Sequence, residues 1–397
     1  MIMNDAEVRA ALRALPIELP SWGFGNAGTR FGVFSEAGAA RDVYEKIEDA
    51  ATVHRLTGAS PTVALHIPWD LPPTGTDWKA LAAFAEEQGV RLGAINPNLF
   101  QERDYMLGSC CHPDPAVRKR AAAHLRECAE IAGIVGSSCV SVWLADGTNY
   151  PGQDDIRERR RRLKDTLAEG YAALPPGVEM LIEYKFFEPA FYTTDLPDWG
   201  TAYVMCQHLG PQAKVLVDTG HHAQGTNIEF IVATLLDEGR LGGFHFNDRK
   251  YADDDLIVGS VNPFQLFLIF HELIGGHDGK TAAPVAYMLD QSHNVEPKIE
   301  AMVLSVLNVQ TAYAKALLVD RAALRERQQA QDVLGAHAVL RDAYETDVRP
   351  ILAQARCDAG CPQDPLRALA NDTLVQERRR ARQTTPARAG GGGLGTA

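Results

Sequence analysis

A chain of 397 residues with 39 basic and 51 acidic side chains carries a formal charge of −12, which opposes binding to a polyanionic nucleic acid. Its 46% apolar content supplies a large core, yet no apolar run approaches the roughly 20 residues of a membrane helix. The opening MIMNDAEVRAALRALPIELP brings acidic groups early and lacks a secretory apolar segment, and seven irregularly spaced cysteines read as reduced thiols, so a cytoplasmic protein with no membrane or nucleic-acid partner is expected.

Residues 1–19 read as a short N-terminal helix. Short apolar runs then recur as SWGFG (21–25), TVALHIPW (62–69), RLGAINPNLF (91–100) and CVSVWLADG (139–147). VEMLIEYK (178–185), KVLVDTGHH (214–222), GGFHFND (242–248) and VAYMLD (285–290) bring the number to eight. Their Val, Leu, Ile, Phe and Ala centres show little alternation, as strands covered on both faces do. Helical stretches such as DWKALAAFAEEQG (77–89) and PAVRKRAAAHLRECAEIAG (115–133) separate them. The pattern predicts an α/β fold, a (β/α)8 TIM barrel over 20–296 as the catalytic domain. The charge run IRERRRRLKDTLAEGYAALP (156–175) reads as a solvated helix face. Helical spacing of Met302, Val303, Val306 and Leu307 opens a C-terminal α-helical extension over 297–375, packed on the barrel or on a neighbouring subunit. Residues 376–397 are basic and Gly-rich and are expected to be a flexible tail. Cys357 and Cys361 share a helical face, but no second pair completes a zinc site.

The late strands end in chemistry. Glu183 and Lys185 close the fifth, Asp218, His221 and His222 the sixth; the seventh contains His245 and leads to Asp253-Asp254-Asp255, and the eighth ends at Asp290 before Ser292 and His293. Singly, a strand-end Asp is more often a helix N-cap, an acidic run a solvated loop and a buried His a hydrogen-bonded core residue. In a parallel barrel, however, these ends converge on one mouth, and residues two apart on a strand point the same way. Two carboxylates about 4 Å apart repel by roughly 4 kcal/mol at an effective dielectric of 20. Glu183, Asp218, Asp253, Asp255 and Asp290 in one pocket therefore demand cations, and two divalent ions with Lys185 balance them. Mixed oxygen and nitrogen donors favour Mn2+ or Co2+ over Mg2+. His222 and His293 fit either a supporting role or the rim.

The Glu-x-Lys, the Asp with a His three later and the Asp-x-Asp pair resemble the metal-dependent sugar isomerases of the xylose isomerase superfold. LIEYKFFEPAFY, VDTGHH, GFHFNDRKYADDDL and MLDQSHN look closer still to the L-rhamnose isomerases of the broad-specificity bacterial form, over about residues 20–300 and a helical tail. The resemblance implies a structural ion on Glu183, Asp218, His245 and Asp290, and a catalytic ion on Asp218, His221, Asp253 and Asp255, with Asp218 bridging. It implies catalytic roles for Lys185, Asp290 and His66, with Lys185 near C1 and O2 of the sugar and His66 on the opposite wall. Trp22, Trp69 and Trp143 would line a monosaccharide pocket, and Phe31 would come from a neighbouring subunit of a homotetramer. The implied reaction interconverts L-rhamnose and L-rhamnulose, with L-lyxose, L-mannose and D-allose as related aldoses. Two departures, a short segment before the first strand and GGHDGKTAAP before the eighth, bear on tetramer packing and substrate preference.

Because nearly every inward carboxylate is used as a ligand, few free bases remain, which favours a two-metal-assisted 1,2-hydride shift over a cis-enediol route. The competing readings are another metal-dependent sugar isomerase or a one-ion ketose 3-epimerase on the same barrel, an abasic-site nuclease, and a metal-stabilised scaffold. The Asp253/Asp255 pair, the negative charge and the buried Lys argue against these in turn.

Overall fold

Aliphatic runs that bury both faces pair side by side here, and the pairing is parallel throughout. The computed structural model describes residues 3–384 apart from 27, 30, 31, 73, 74, 76, 188–191 and 294. The barrel strands are β1 (Leu19–Pro20), β2 (Thr62–Ile67), β3 (Arg91–Pro97), β4 (Cys139–Trp143), β5 (Glu179–Glu183), β6 (Ala213–Asp218), β7 (Leu241–Phe246) and β8 (Ala286–Leu289). They lie in chain order in one eight-stranded sheet. Glu18 closes it: its N–H donates to the Tyr287 carbonyl at 2.8 Å, and the Leu289 N–H donates to its carbonyl at 2.9 Å.

Eight helices follow the eight strands. They are α2 (Val43–Thr57), α3 (Trp78–Glu87), α4 (Pro115–Val135), α5 (Ile156–Tyr171), α6 (Trp199–Leu209), α7 (Ile228–Asp237), α8 (Pro263–Gly275) and α9 (Lys298–Leu317), with α1 (Asp5–Ala14) ahead of the barrel. Asp42, Asp77, Asp114, Asp155, Asp198, Asn227 and Asn262 cap the helices from α2 to α8 by accepting backbone N–H groups. The acids needed as caps are thus separate from those at the ends of β5, β6 and β8. Inside the barrel, Ala64, Ala94, Cys139, Leu181, Leu216 and Met288 fill the floor beneath Trp22 and Trp69.

Four expectations change. SWGFG is not the first strand: Ser21–Phe24 form one 3-10 turn, and the two residues before it pair with β2. Pro20 lacks an N–H and ends the ladder. Gly23 suits the close packing there: a Cβ would stand 3.0 Å from the Gln291 carbonyl oxygen and would displace the Met302 methyl. Second, α9 is the barrel's own eighth helix, packed between α8 and α2, so the barrel runs past 296 to Leu317. The extension comprises α10 (Arg321–Gln329), α11 (Val333–Glu345), α12 (Arg349–Asp358), α13 (Pro365–Ala370) and α14 (Thr373–Thr384). Third, the face of α5 is not wholly solvated. Arg159 is buried and clasps Asp195 through Nε (3.0 Å) and Nη2 (2.8 Å).

Fourth, part of the segment read as a flexible tail is helical. Buried Arg382 on α14 donates to both oxygens of buried Asp49 on α2, at 2.7 and 2.9 Å. Arg379 pairs with Glu300 on α9. An apolar count misses this anchor because it is ionic. Removing one partner of a buried pair leaves an uncompensated charge, so Arg382→Met is expected to cost about 3–5 kcal/mol in urea or thermal unfolding. A loss under about 0.5 kcal/mol would mean that the helix docks without this pair.

Candidate active site at the barrel mouth

The C-terminal ends of β5 to β8 bring the predicted side chains together. Glu183, Asp218, His245 and Asp290 offer ligand atoms that all lie within 4.8 Å of one another, and Asp218, His221 and Asp253 do the same. Asp218, fully buried on β6, belongs to both sets. Ligands about 2.1 Å from one octahedral ion stand roughly 3–4.2 Å apart. The spacings here match: His245 Nδ1 is 3.2 Å from Glu183 and 3.6 Å from Asp290, and His221 Nε2 is 3.4 Å from Asp253 and 3.8 Å from Asp218.

Those neighbours are misaligned for hydrogen bonding. Both ring nitrogens of His245 and Asp253 Oδ1 are buried without a hydrogen-bond partner, as donors around a common cation are. His221 Nδ1 donates to the Tyr184 carbonyl at 3.0 Å, which leaves Nε2 as an acceptor toward the cluster. The donor set therefore fits two cations sharing Asp218. Asp255 lines the same pocket but stands outside the Asp218–His221–Asp253 set. A third cluster, Cys111, Asp146 and Asp195, is already occupied: Asp146 accepts the Ser109 N–H at 2.9 Å, and Asp195 is held by Arg159.

Charge balance shows the strain of this cluster without cations. Burial pushes Asp218 up to about 6 and Asp290 up to about 7. Burial opposes charge on the two imidazoles, but the carboxylates more than offset it, Asp218 foremost for His221 and Glu183 for His245, raising them to about 9 and about 10. Burial drives Asp255 well above the carboxylate range, with Asp253 adding to the effect. Such a site takes up protons when it holds no metal and releases them when it binds one.

The loop after β7 explains why 253 and 255 turn inward. Asp248 accepts the N–H groups of Val261 and Asn262 at 2.7 and 2.9 Å, and Asp254 accepts those of Lys250 and Tyr251 at 2.6 and 2.9 Å. Those two acids build the loop and leave the alternate ones for the pocket. Gly220 is required for space: a Cβ would lie 2.7 Å from Asn247 Oδ1 and 2.9 Å from Asp253 Oδ1.

Opposite the cluster stands an aromatic wall. His66 stacks on Trp69 at 3.7 Å, Trp22 meets His66 edge-on at 5.7 Å, and Phe100 packs against Trp143 at 4.7 Å. Trp22 Nε1 donates to Asp290 at 2.7 Å. Burial, then the nearby Lys46 charge, holds His66 well below its ordinary value, so its imidazole is neutral. Lys185 Nζ lies 2.6 Å from Asp253 and 4.9 Å over the Trp143 ring, between cluster and wall. The cavity between the two walls is about 240 Å³, a size for one small polar molecule.

His222 is a support: its Nε2 meets the Tyr184 hydroxyl at 2.6 Å. His293 sits at the rim beside Glu296. Phe31 lies outside the described residues. GGHDGKTAAP precedes β8 and so leaves from the face opposite the mouth, away from the pocket. Sequence reasoning missed Asn96 and Phe100, which line the cavity, and Asn247, which donates to Asp218 at 3.0 Å. Asn96 and Phe100 fall within the third predicted strand and its end, so their place at the mouth was the available signal.

Comparison with known proteins agrees with this geometry. A family model described as xylose isomerase-like TIM barrel matches residues 56–274. A probable sugar isomerase of Mesorhizobium japonicum is 46% identical over 365 residues, 90% of this chain and 84% of that protein. One of Rhizobium meliloti is 45% identical over 395 residues, 97% and 90%. Among solved structures, L-ribulose 3-epimerase superposes with a TM-score of 0.53 at 17% identity, covering 83% of this chain and 97% of that one. D-allulose 3-epimerase from Methylomonas sp. gives 0.52 at 16% identity, covering 75% and 95%. These two likenesses concern the fold. With eight strands, a carboxylate-imidazole mouth and these relatives, the chain belongs to the xylose isomerase-like TIM barrel family and is a sugar isomerase-like barrel.

Proposed function

We propose that this protein is an aldose–ketose isomerase that converts L-rhamnose to L-rhamnulose and accepts L-lyxose, L-mannose and D-allose. The observation that carries the reaction is the pair of ligand sets sharing Asp218 in front of an aromatic wall. A ketose 3-epimerase with one ion has no use for the second set. The choice of L-rhamnose is supported by the strings around Glu183, Asp218, His245 and Asp290.

Glu183, Asp218, His245 and Asp290 would hold one ion, and Asp218, His221 and Asp253, with Asp255 beside them, the other. Two divalent ions, Mn2+ foremost and Co2+ or Mg2+ as substitutes, supply charge that polarises the sugar's C1 carbonyl and O2. Lys185 donates hydrogen bonds to oxygens near C1 and O2. Trp22, Trp69 and Trp143 pack on C–H edges and exclude water, and neutral His66 meets the sugar from their side. The carboxylates and imidazoles of the cluster are committed as ligands, so hydride would pass from C2 to C1 without a protein base at C2, while the proton of O2 passes to O1 through a water molecule. The assembly proposed is a cytoplasmic homotetramer.

The test uses metal-stripped protein, a panel of aldoses and ketoses, and C2-deuterated L-rhamnose. Activity is expected to return with about two equivalents of Mn2+ per chain, with L-rhamnulose as product and deuterium retained at C1. Saturation at one ion with epimerised ketose, or deuterium washed out at the rate of turnover, would overturn the reaction or the hydride route respectively.

A further inference from the structure

Behind the aromatic wall lies an ion pair that no ligand set uses. Lys46 on α2 and Asp70, just past β2, are both buried, with Nζ 2.6 Å from Oδ1. The other oxygen, Oδ2, accepts two hydrogen bonds. One comes from the His66 N–H at 2.7 Å, the other from the Ser21 hydroxyl. The Asp70 N–H also donates to the His66 carbonyl at 2.8 Å.

One carboxylate thus grips the two places where the chain leaves regular structure to build the wall. Ser21 begins the single 3-10 turn that carries Trp22. His66 stands one residue before the end of β2 and stacks on Trp69. Trp22 in turn donates to Asp290 in the cation cluster. Neither a one-turn helix nor a strand end is rigid unaided, and a wall that aligns a sugar must be. A buried carboxylate also needs a counter-charge, which Lys46 supplies.

We propose that Asp70, neutralised by Lys46, is a positioning residue that sets Trp22, His66 and Trp69 against the reacting sugar. This rests on the isomerase reading for its activity readout only. The two oxygens have separate tasks, which makes the proposal testable by removing first one charge and then both. In Asp70→Asn an amide NH2 and the Lys46 ammonium are both donors. The amide must therefore turn its oxygen to Lys46 and its NH2 to the His66 N–H and Ser21, and the wall loosens. In Lys46→Met/Asp70→Asn the amide oxygen is free to take the Oδ2 place and keep both bonds.

Asp70→Asn is expected to lower kcat/KM by about 100-fold with Mn2+ still bound by EPR, since the ligands lie on the facing wall and the Trp22 bond to Asp290 is a tie and not a ligand. The double variant is expected to recover to within about tenfold of the parent. With 5-fluorotryptophan labelling, the Trp22 and Trp69 fluorine lines are expected to move in Asp70→Asn and return in the double variant. Asp70→Asn with parental kcat and KM but a lower melting temperature, or a double variant no better than the single, would overturn it. The fluorine lines decide positioning even if the parent turns over no aldose, an outcome that would remove the isomerase reading alone. Lines that stay in place in Asp70→Asn would remove the positioning role.

Discussion

Asp218→Asn is expected to lower isomerase kcat by more than about 10³-fold, the largest effect of any single replacement in this chain. The reason is its place in both ligand sets. Both its oxygens are engaged: Oδ1 accepts the Gly220 N–H at 2.6 Å, and Asn247 Nδ2 reaches Oδ1 and Oδ2 at 3.0 and 3.2 Å. An amide is isosteric but neutral and offers one acceptor, so neither cation keeps its shared anion. On the proposed two-ion reading, Mn2+ per chain, read by metal analysis after dialysis, is expected to fall from two to one or none. The metal-free fold should change little. Burial pushes Asp218 up, and removing its charge forfeits the attraction of His221 but relieves the repulsion from Glu183 and Asp253. A variant that retains two ions and a kcat within tenfold of the parent would show that the carboxylates serve stability and that the chemistry lies elsewhere.

Lys185→Gln is the second large effect, with kcat expected to fall about 10²–10³-fold while both cations remain bound. The side chain reaches between cluster and wall because its backbone is clamped: the Lys185 N–H donates to the Leu196 carbonyl at 3.0 Å, and Thr194 Oγ1 donates to the Lys185 carbonyl at 2.9 Å. Asp195, between those two residues, is the one Arg159 grips. Gln keeps length and a hydrogen-bond donor but not the charge that meets a developing oxyanion. Metal analysis separates the roles. Unchanged kcat with weakened Mn2+ binding would make Lys185 a partner of Asp253 and nothing more.

The mouth was legible because parallel strands impose a simple rule: inward residues at their C-terminal ends share one space. Glu183, Asp218 and Asp290 each end or follow a run of apolar residues, and His245 lies within another, so their convergence needed no side-chain detail. Asp70 was not legible, because its meaning depends on Lys46, 24 residues away on a helix, and on Ser21, 49 residues away in a turn. Arg159 and Arg382 were hidden for a related reason. Charge marks a residue as solvated unless its partner is known, and Asp195 and Asp49 are remote in sequence. The boundary at 296 failed differently. The periodicity of α9 runs almost unbroken into α10, and only the Asp320 cap divides them. SWGFG shows the limit of short apolar runs, since a buried turn and a buried strand have the same composition.

The bond between Asp49 and Arg382 joins residues 333 positions apart. A ribosome adding about 5–20 residues per second makes Arg382 roughly 20–70 s after Asp49. Through that interval the nascent α2 holds a carboxylate with no guanidinium to meet it, although β8 reaches Glu18 and shuts the cylinder before Arg382 is made. Closure of the barrel and docking of α14 are therefore separate events, and the closed ring carries an unanswered charge on α2 until that helix has been made.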